Sequence, residues 1–165
     1  MIRPPTASEI PALRRIEAAA GTAFTAVGLP EVAAEEPPPL VHLEAFRVGG
    51  RAWVACDARD RPVGYLVVLV LDERAHVEQV SVDPAHRGHR HGAALIDHVE
   101  NWARREGLAG LSLTTFRDVP WNAPYCTRLG FTVLPVPGPE LRSVIAAEAR
   151  GLPTDAPRVA MVRSG

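Results

Sequence analysis

The stretch SVDPAHRGHRHGAALI, residues 81–96, places a segment rich in glycine, arginine and histidine between two apolar ones. Before its turn, HVEQVSV (76–82) alternates with a period of two residues, which predicts a strand. After it, apolar residues recur at helical spacing from Leu95 to Ala103, which predicts a helix over about 92–106. The segment between them is therefore predicted to lead from a strand into a helix.

Such a turn has the features of an anion site. The first N–H groups of a helix have no partner within it, and they lie at the positive end of the helix dipole. Gly88 and Gly92 allow a ligand to approach the backbone, while Arg87 and Arg90 add charged donors that suit phosphate. The chain contains no lysine, so a triphosphate-binding P-loop is excluded, and the three-glycine dinucleotide pattern is absent. The turn therefore predicts a site for the diphosphate of a ligand other than a nucleoside triphosphate or a dinucleotide. The alternative is a solvated basic turn that binds nothing.

Length and charge limit the remaining possibilities. A chain of 165 residues with 47% hydrophobic residues predicts a single domain over 1–165. The net charge of −1 argues against nucleic acid or a membrane surface as partner. Cys56 and Cys126 form no disulfide or zinc pattern, and no signal peptide or membrane span is evident, which predicts a cytoplasmic protein.

The other segments predict an α/β protein with one mixed sheet and helices on its faces. Thr6 and Glu9 stand at capping-box spacing at the start of the first helix. EEPPP (35–39) ends a stretch that is predicted to be a loop around short helical turns. The further predicted helices are 6–20, 40–48, a short one within 117–131, and 139–150, and the further predicted strands are 51–57, 63–72, 108–116, one from Phe131, and 158–163.

Two segments carry a resemblance to a known family. Arg87-Gly88-His89-Arg90-His91-Gly92 is similar to the Arg/Gln-x-x-Gly-x-Gly/Ala loop of the GNAT superfamily, the acyl-CoA-dependent N-acyltransferases. VPWNAPYCTRLGF (119–131) resembles the family's segment of Asn, an aromatic residue, Tyr and Gly-Phe, and the agreement covers a core of about residues 50–134. The resemblance implies a splayed, mostly antiparallel mixed sheet of about six to seven strands, flanked by helices on both faces. Arg90 replaces the family's middle glycine, and a positive φ would strain an arginine there.

The resemblance also implies acetyl-CoA as co-substrate. The backbone of Val80 and Val82 would pair with the pantetheine arm, which enters between the fourth and fifth strands, and an N–H near them would hold the oxyanion. Asn122 would bond pantetheine or cap the following helix. The histidines at 86, 89 and 91 lack spaced carboxylate or cysteine partners, so no metal site is predicted. The predicted cofactor-binding residues are Val80, Val82, Arg87, Gly88, His89, Arg90, His91, Gly92, Ala93 and Asn122.

Acyl transfer to an amine needs a proton acceptor. Neutralising an alkylammonium of pKa about 10.4 at pH 7 costs about 4.6 kcal/mol, whereas release of an unprotonated thiolate costs about 2 kcal/mol. Glu78, where family members often keep a carboxylate, is the first candidate base, and His76 lies on the same face of the strand. Cys126 stands at the position where the family has a Tyr that often protonates the leaving thiolate, and Tyr125 lies just before it. The alternatives are a half-exposed polar strand face for Glu78 and His76, and packing for Cys126.

These patterns predict an N-acetyltransferase that transfers an acetyl group directly from acetyl-CoA to a primary amine of a small molecule or peptide. A noncatalytic acyl-CoA-binding sensor is the alternative, because Arg90 and Cys126 both depart from the family pattern. A toxin-partner or scaffold protein is a weaker third possibility. The last helix and strand could form the interface of a homodimer.

Overall fold

The computed structural model describes residues 1–152 and 154–164. Within these residues the chain forms seven strands and six α-helices, joined in places by 3-10 turns. The strands are β1 (Ile2–Arg3), β2 (Ala52–Cys56), β3 (Pro62–Leu71), β4 (Arg74–Val82), β5 (Leu111–Phe116), β6 (Thr132–Val133) and β7 (Arg158–Arg163). The helices are α1 (Ile10–Gly21), α2 (Pro30–Ala33), α3 (Leu40–Val48), α4 (His91–Arg105), α5 (Ala123–Arg128) and α6 (Pro139–Gly151).

The strands form one open sheet in the order β1-β2-β3-β4-β5-β7-β6. Antiparallel pairs join β1 to β2, β2 to β3, β5 to β7 and β6 to β7. The pairing of β4 with β5 is parallel and joins Ala75 to Leu111 and His76 to Ser112. The predicted fold class, a mostly antiparallel mixed sheet with flanking helices, is confirmed.

The chain forms two compact units, of which the first comprises residues 1–68 and 78–99. In this unit β3 has a helix on each face. A Cβ atom on Gly64 would lie 3.6 Å from Leu95 Cδ1 of α4. Tyr65, the next residue, faces the other side, where its hydroxyl interacts with Glu17 of α1. The β3 strand therefore lies between α1 and α4.

The second unit comprises residues 69–77 and 100–165. Its β3–β4 turn has a left-handed backbone at both Asp72 (φ 50°) and Glu73 (φ 62°), the conformation of a two-residue type I′ hairpin turn. The Asp72 carboxylate accepts the N–H groups of Glu140 at 3.1 Å and Leu141 at 2.9 Å. These bonds cap the start of α6, so the turn residue also fixes the last helix.

The boundaries predicted from the sequence differ mainly at short elements. The helix predicted over 6–20 begins as a 3-10 turn at Ala7–Glu9 before α1. The predicted interaction between Thr6 and Glu9 is present, because Thr6 N–H donates to Glu9 Oε1 at 2.8 Å. β1 was not predicted, because two residues are too few to show a period. Among the described residues, no helix has both the length and the apolar composition of a membrane span.

Candidate active site and cofactor loop

The loop between β4 and α4 is held in place at its first residue. Asp83 N–H donates to the Val63 carbonyl of β3 at 2.8 Å, and Asp83 Oδ1 accepts the Ala85 N–H at 2.9 Å. The second bond caps a 3-10 turn over Pro84–His86. The chain therefore leaves the strand in a defined direction.

Two loop residues have a left-handed backbone. Gly88 has φ 84° and Arg90 has φ 59°. Glycine adopts this conformation freely, whereas a residue with a side chain does so at a cost of roughly 1–2 kcal/mol. The loop thus keeps, at Arg90, the backbone conformation that a glycine would allow, and the strain expected for a positive φ at this arginine is present.

Six successive N–H groups in this loop and the first turn of α4 have no protein partner. Within residues 1–152 and 154–164, the amides of residues 88–93 meet no hydrogen-bond acceptor. The bonds of α4 begin one residue later, where Ala94 N–H donates to the Arg90 carbonyl at 3.0 Å. Unpaired amides at the start of a helix carry partial positive charge, and an anion bound there would satisfy them.

The side chains around these amides add local positive charge. Arg87 and Arg90 are exposed, and neither has an ion-pair partner in the described part of the chain. Burial, followed by the neighbouring His89 and His86, lowers the pKa of His91, so this imidazole is neutral near pH 7. The His89 and His91 rings lie 6.0 Å apart between centroids. Arg87 and Arg90 therefore supply permanent positive charge beside the unpaired amides.

Ala93, the last of the predicted loop residues, is buried in the first turn of α4, and Gly92 is half-buried. The Cβ of Ala93 packs into the core, so its contribution to a ligand would be its N–H group. Val80 and Val82 are half-buried on β4. The predicted residues from 80 to 93 thus belong to one continuous strand-loop-helix segment of the first unit.

His76 is almost fully buried on β4, with 1% of its surface exposed. Its Nδ1 lies 3.0 Å from Ser112 Oγ on β5. Burial, followed by the charge of Arg158, lowers the pKa of His76 to about 4. The imidazole is therefore neutral at pH 7 and suited to hydrogen bonding rather than to taking a proton. Glu78, two residues along β4, is half-buried and keeps partial access to solvent.

The predicted residues of the second segment lie at α5. Asn122 precedes this helix, but its side chain does not cap it. Asn122 Oδ1 instead accepts the Thr115 hydroxyl at 2.6 Å and the Phe116 N–H at 3.3 Å. The side chain thus ties the helix start to β5.

Tyr125 and Cys126 point in different directions from α5. The Arg128 guanidinium lies 5.5 Å from the centroid of the Tyr125 ring, a cation–π contact. Burial raises the pKa of the half-buried Cys126 thiol to about 11. Proton transfer from this thiol to a leaving thiolate of conjugate pKa about 8.5 is therefore unfavourable by about 3 kcal/mol.

One polar pair in the first unit was missed from the sequence. Tyr65 has 0% of its surface exposed, and neither its hydroxyl nor Glu17 Oε2 completes a hydrogen bond among the described residues. A signal exists in the sequence, because Glu17 follows Ile10 by seven residues and so lies on the apolar face of α1. A carboxylate on that face is expected to be buried.

Comparison with known proteins shows the family to which the chain belongs. The model of the Acetyltransferase (GNAT) family matches residues 13–131. This match spans most of the chain and includes the strand, the loop and the helix that follows it. The protein is therefore a member of the acetyltransferase (GNAT) family.

Solved structures show the same fold along the whole chain. Rv2747 from Mycobacterium tuberculosis, crystallised in complex with CoA, is similar with 22% identity and a TM-score of 0.72, over 100% of this chain and 99% of that one. The ribosomal-protein-S18-alanine N-acetyltransferase from Escherichia coli has 18% identity and a TM-score of 0.66, over 99% and 92%. PaiA N-acetyltransferase from Thermoplasma acidophilum, in complex with coenzyme A, has 13% identity and a TM-score of 0.64, over 100% and 98%.

Proposed function

We propose that this acetyltransferase moves an acetyl group from acetyl-CoA directly to a primary amine of a small molecule or peptide. The observation that carries the proposal is the run of six unpaired N–H groups at residues 88–93, flanked by Arg87 and Arg90. This arrangement fits the pyrophosphate of coenzyme A, since backbone amides and guanidinium groups are both good phosphate donors. The CoA complexes of similar proteins support the same co-substrate.

Acetyl-CoA, when bound, supplies an activated acetyl thioester. Glu78 is the residue that we assign as proton acceptor for the amine, because it is half-buried and ionisable on the strand before the loop. His76 is neutral and bonded to Ser112, so its contribution is to order β4 and β5 at that point. The pKa of Cys126 does not favour it as an acid, and the thiolate can leave unprotonated at a cost of about 2 kcal/mol at pH 7.

The cofactor assignment is tested by thermal unfolding with and without millimolar acetyl-CoA. We expect acetyl-CoA to raise the Tm of the parent protein, because a ligand that binds only the folded state stabilises it. Arg87→Glu should abolish the rise, since it places a negative charge beside the bound phosphates. Arg105→Glu, an exposed arginine at the other end of α4, is the matched control and should keep it. A parent protein that shows no rise contradicts the proposal.

A noncatalytic acyl-CoA sensor remains the second candidate, because the Cys126 pKa of about 11 leaves the family's acid position without an effective acid. Release of free thiol from acetyl-CoA with a panel of primary amines separates the two candidates. An enzyme releases thiol in proportion to added amine, and Glu78→Gln slows the release. A sensor shows the Tm rise but no amine-dependent thiol, and Glu78→Gln changes nothing.

We also propose the cytoplasm as the location of the protein, since its two cysteines are both free thiols, as a reducing compartment would keep them.

A further inference from the structure

We propose that His89 and His91 link cofactor binding to protons, so that the loop before α4 binds acetyl-CoA more tightly as the pH falls from about 7.5 to about 5.5. This inference rests on the proposed function, because it assigns a regulation to the same diphosphate-binding loop. It starts from the position of two imidazoles among the unpaired amides of residues 88–93. Arg87 and Arg90 keep their charge at every physiological pH, whereas a histidine changes its charge within that range.

Both imidazoles belong to residues whose backbone amides lack partners. The N–H groups of His89 and His91 are two of the six that meet no acceptor in the described part of the chain. The His89 side chain is exposed, the His91 side chain is half-buried, and their ring centroids lie 6.0 Å apart. An anion that accepts hydrogen bonds from these N–H groups therefore binds close to both rings.

The charged groups around His91 are all basic. Burial is the main cause that lowers the pKa of His91, and His89, His86 and the amino group of Met1 lower it further, each being positive when protonated. No carboxylate of the described residues is among the charges that act on it. Asp83, the acidic residue at the start of the loop, instead caps the 3-10 turn that follows it. A negative charge that offsets this basic cluster has to come with a ligand.

A bound diphosphate would supply that negative charge. It stabilises the protonated form of a neighbouring imidazole, so the two histidines are easier to protonate in the complex than in the free protein. By linkage, the ligand then binds more tightly at low pH, and its binding takes up protons near pH 6.5. Each imidazole should contribute a gain of about threefold in affinity, the magnitude of an exposed ion pair, and the two together about tenfold.

The test is isothermal titration of the full chain with 3′-dephospho-coenzyme A at about pH 7.5 and about pH 5.5. This probe keeps the diphosphate but lacks the 3′-phosphate of coenzyme A, whose second pKa of about 6 would itself give a pH dependence. We expect the Kd of the parent protein to fall about tenfold between the two pH values. Titrations near pH 6.5 in two buffers of different ionisation enthalpy should show proton uptake on binding.

Three variants separate the charge of the imidazoles from a structural role. The double variant with His89→Gln and His91→Gln should bind the probe with nearly the same Kd at both pH values. His89→Arg places a permanent charge at an exposed position, so it should bind about threefold more tightly than the parent at pH 7.5 and keep only the part of the pH dependence that His91 provides. His42→Gln, which changes an exposed histidine of α3, is the matched control and should keep the full dependence.

The outcomes distinguish this inference from the proposed function. Equal Kd values for the parent at both pH values, proton release on binding, or a double variant with the pH dependence of the parent would each overturn the proton linkage alone. Far-UV circular dichroism checks that the double variant folds, and if it does not, the proton uptake of the parent and the affinity of His89→Arg still test the linkage. A parent protein that binds neither the probe nor acetyl-CoA at any pH would instead contradict the proposed function.

Discussion

Arg90 combines a charge that suits the cofactor with a backbone conformation that suits glycine. We expect Arg90→Gly to be more stable to urea than Arg90→Ala by about 0.5–1 kcal/mol, because both lose the guanidinium but only glycine relieves the left-handed strain. Both variants should bind acetyl-CoA more weakly than the parent and to a similar extent. An alanine variant as stable as the glycine variant would show that φ at this position carries no strain.

The burial of His76 could not be predicted from the sequence. Its alternation with Val77 and Glu78 correctly predicted a strand. Its role as a base assumed a pKa near neutrality, whereas the imidazole is buried, has a pKa of about 4 and contacts Ser112, 36 residues further along the chain. Burial of a strand residue depends on which strands and helices cover it, and such long-range contacts leave no local pattern. The same holds for Cys126, whose pKa is set by burial.

At the scale of elements, Asp83 links β4 to the loop that precedes α4. Asp83→Ala should lower the free energy of unfolding by about 1 kcal/mol, because the Ala85 N–H loses the oxygen that caps its turn. Asp83→Asn should lose less than half of that amount, since its amide oxygen can still accept the bond. Urea unfolding of the two variants measures the difference. Equal losses would assign the effect to the charge of Asp83 rather than to the cap.

The long elements could be predicted from the sequence because each has a clear period and a defined end. The helix predicted over 92–106 is α4 over His91–Arg105, and the strand predicted over 63–72 is β3 over Pro62–Leu71. The two-residue strands β1 and β6 depend on the partners to which they are joined, Val54 and Ala55 for β1 and Met161 and Val162 for β6. The strand-to-helix turn between β4 and α4 was also predictable, whereas anion binding by its loop stays a prediction. The sequence left the sign of φ at Arg90 open, and the structure gives a positive value of 59°.

At the scale of the whole molecule, burial lowers the pKa of His76 and raises the pKa of Glu17, so the two groups change the free energy of unfolding with pH in opposite directions. His76 has a folded-state pKa of about 4, so the unfolded chain takes up its proton first, and stability falls as the pH drops from about 6.5 towards 4. Glu17 has a folded-state pKa of about 7, so the unfolded chain loses its proton first, and stability falls as the pH rises from about 4.5 towards 7. Each effect amounts to about 3 kcal/mol at its limit.

We therefore expect the free energy of unfolding of the parent protein to change little between pH 4.5 and pH 7, because these two contributions offset each other. Glu17→Gln should leave only the His76 contribution, so its stability should increase with pH by about 2–3 kcal/mol over this range. His76→Asn should leave only the Glu17 contribution and show a decrease of similar size, while the double variant should again change little. Glu9, whose pKa is lowered to about 2 mainly by its hydrogen bond from Arg3, keeps its charge in the folded state throughout this range. Urea unfolding of the four proteins at several pH values measures the slopes, and slopes of the same sign in the two single variants would contradict the assigned pKa directions.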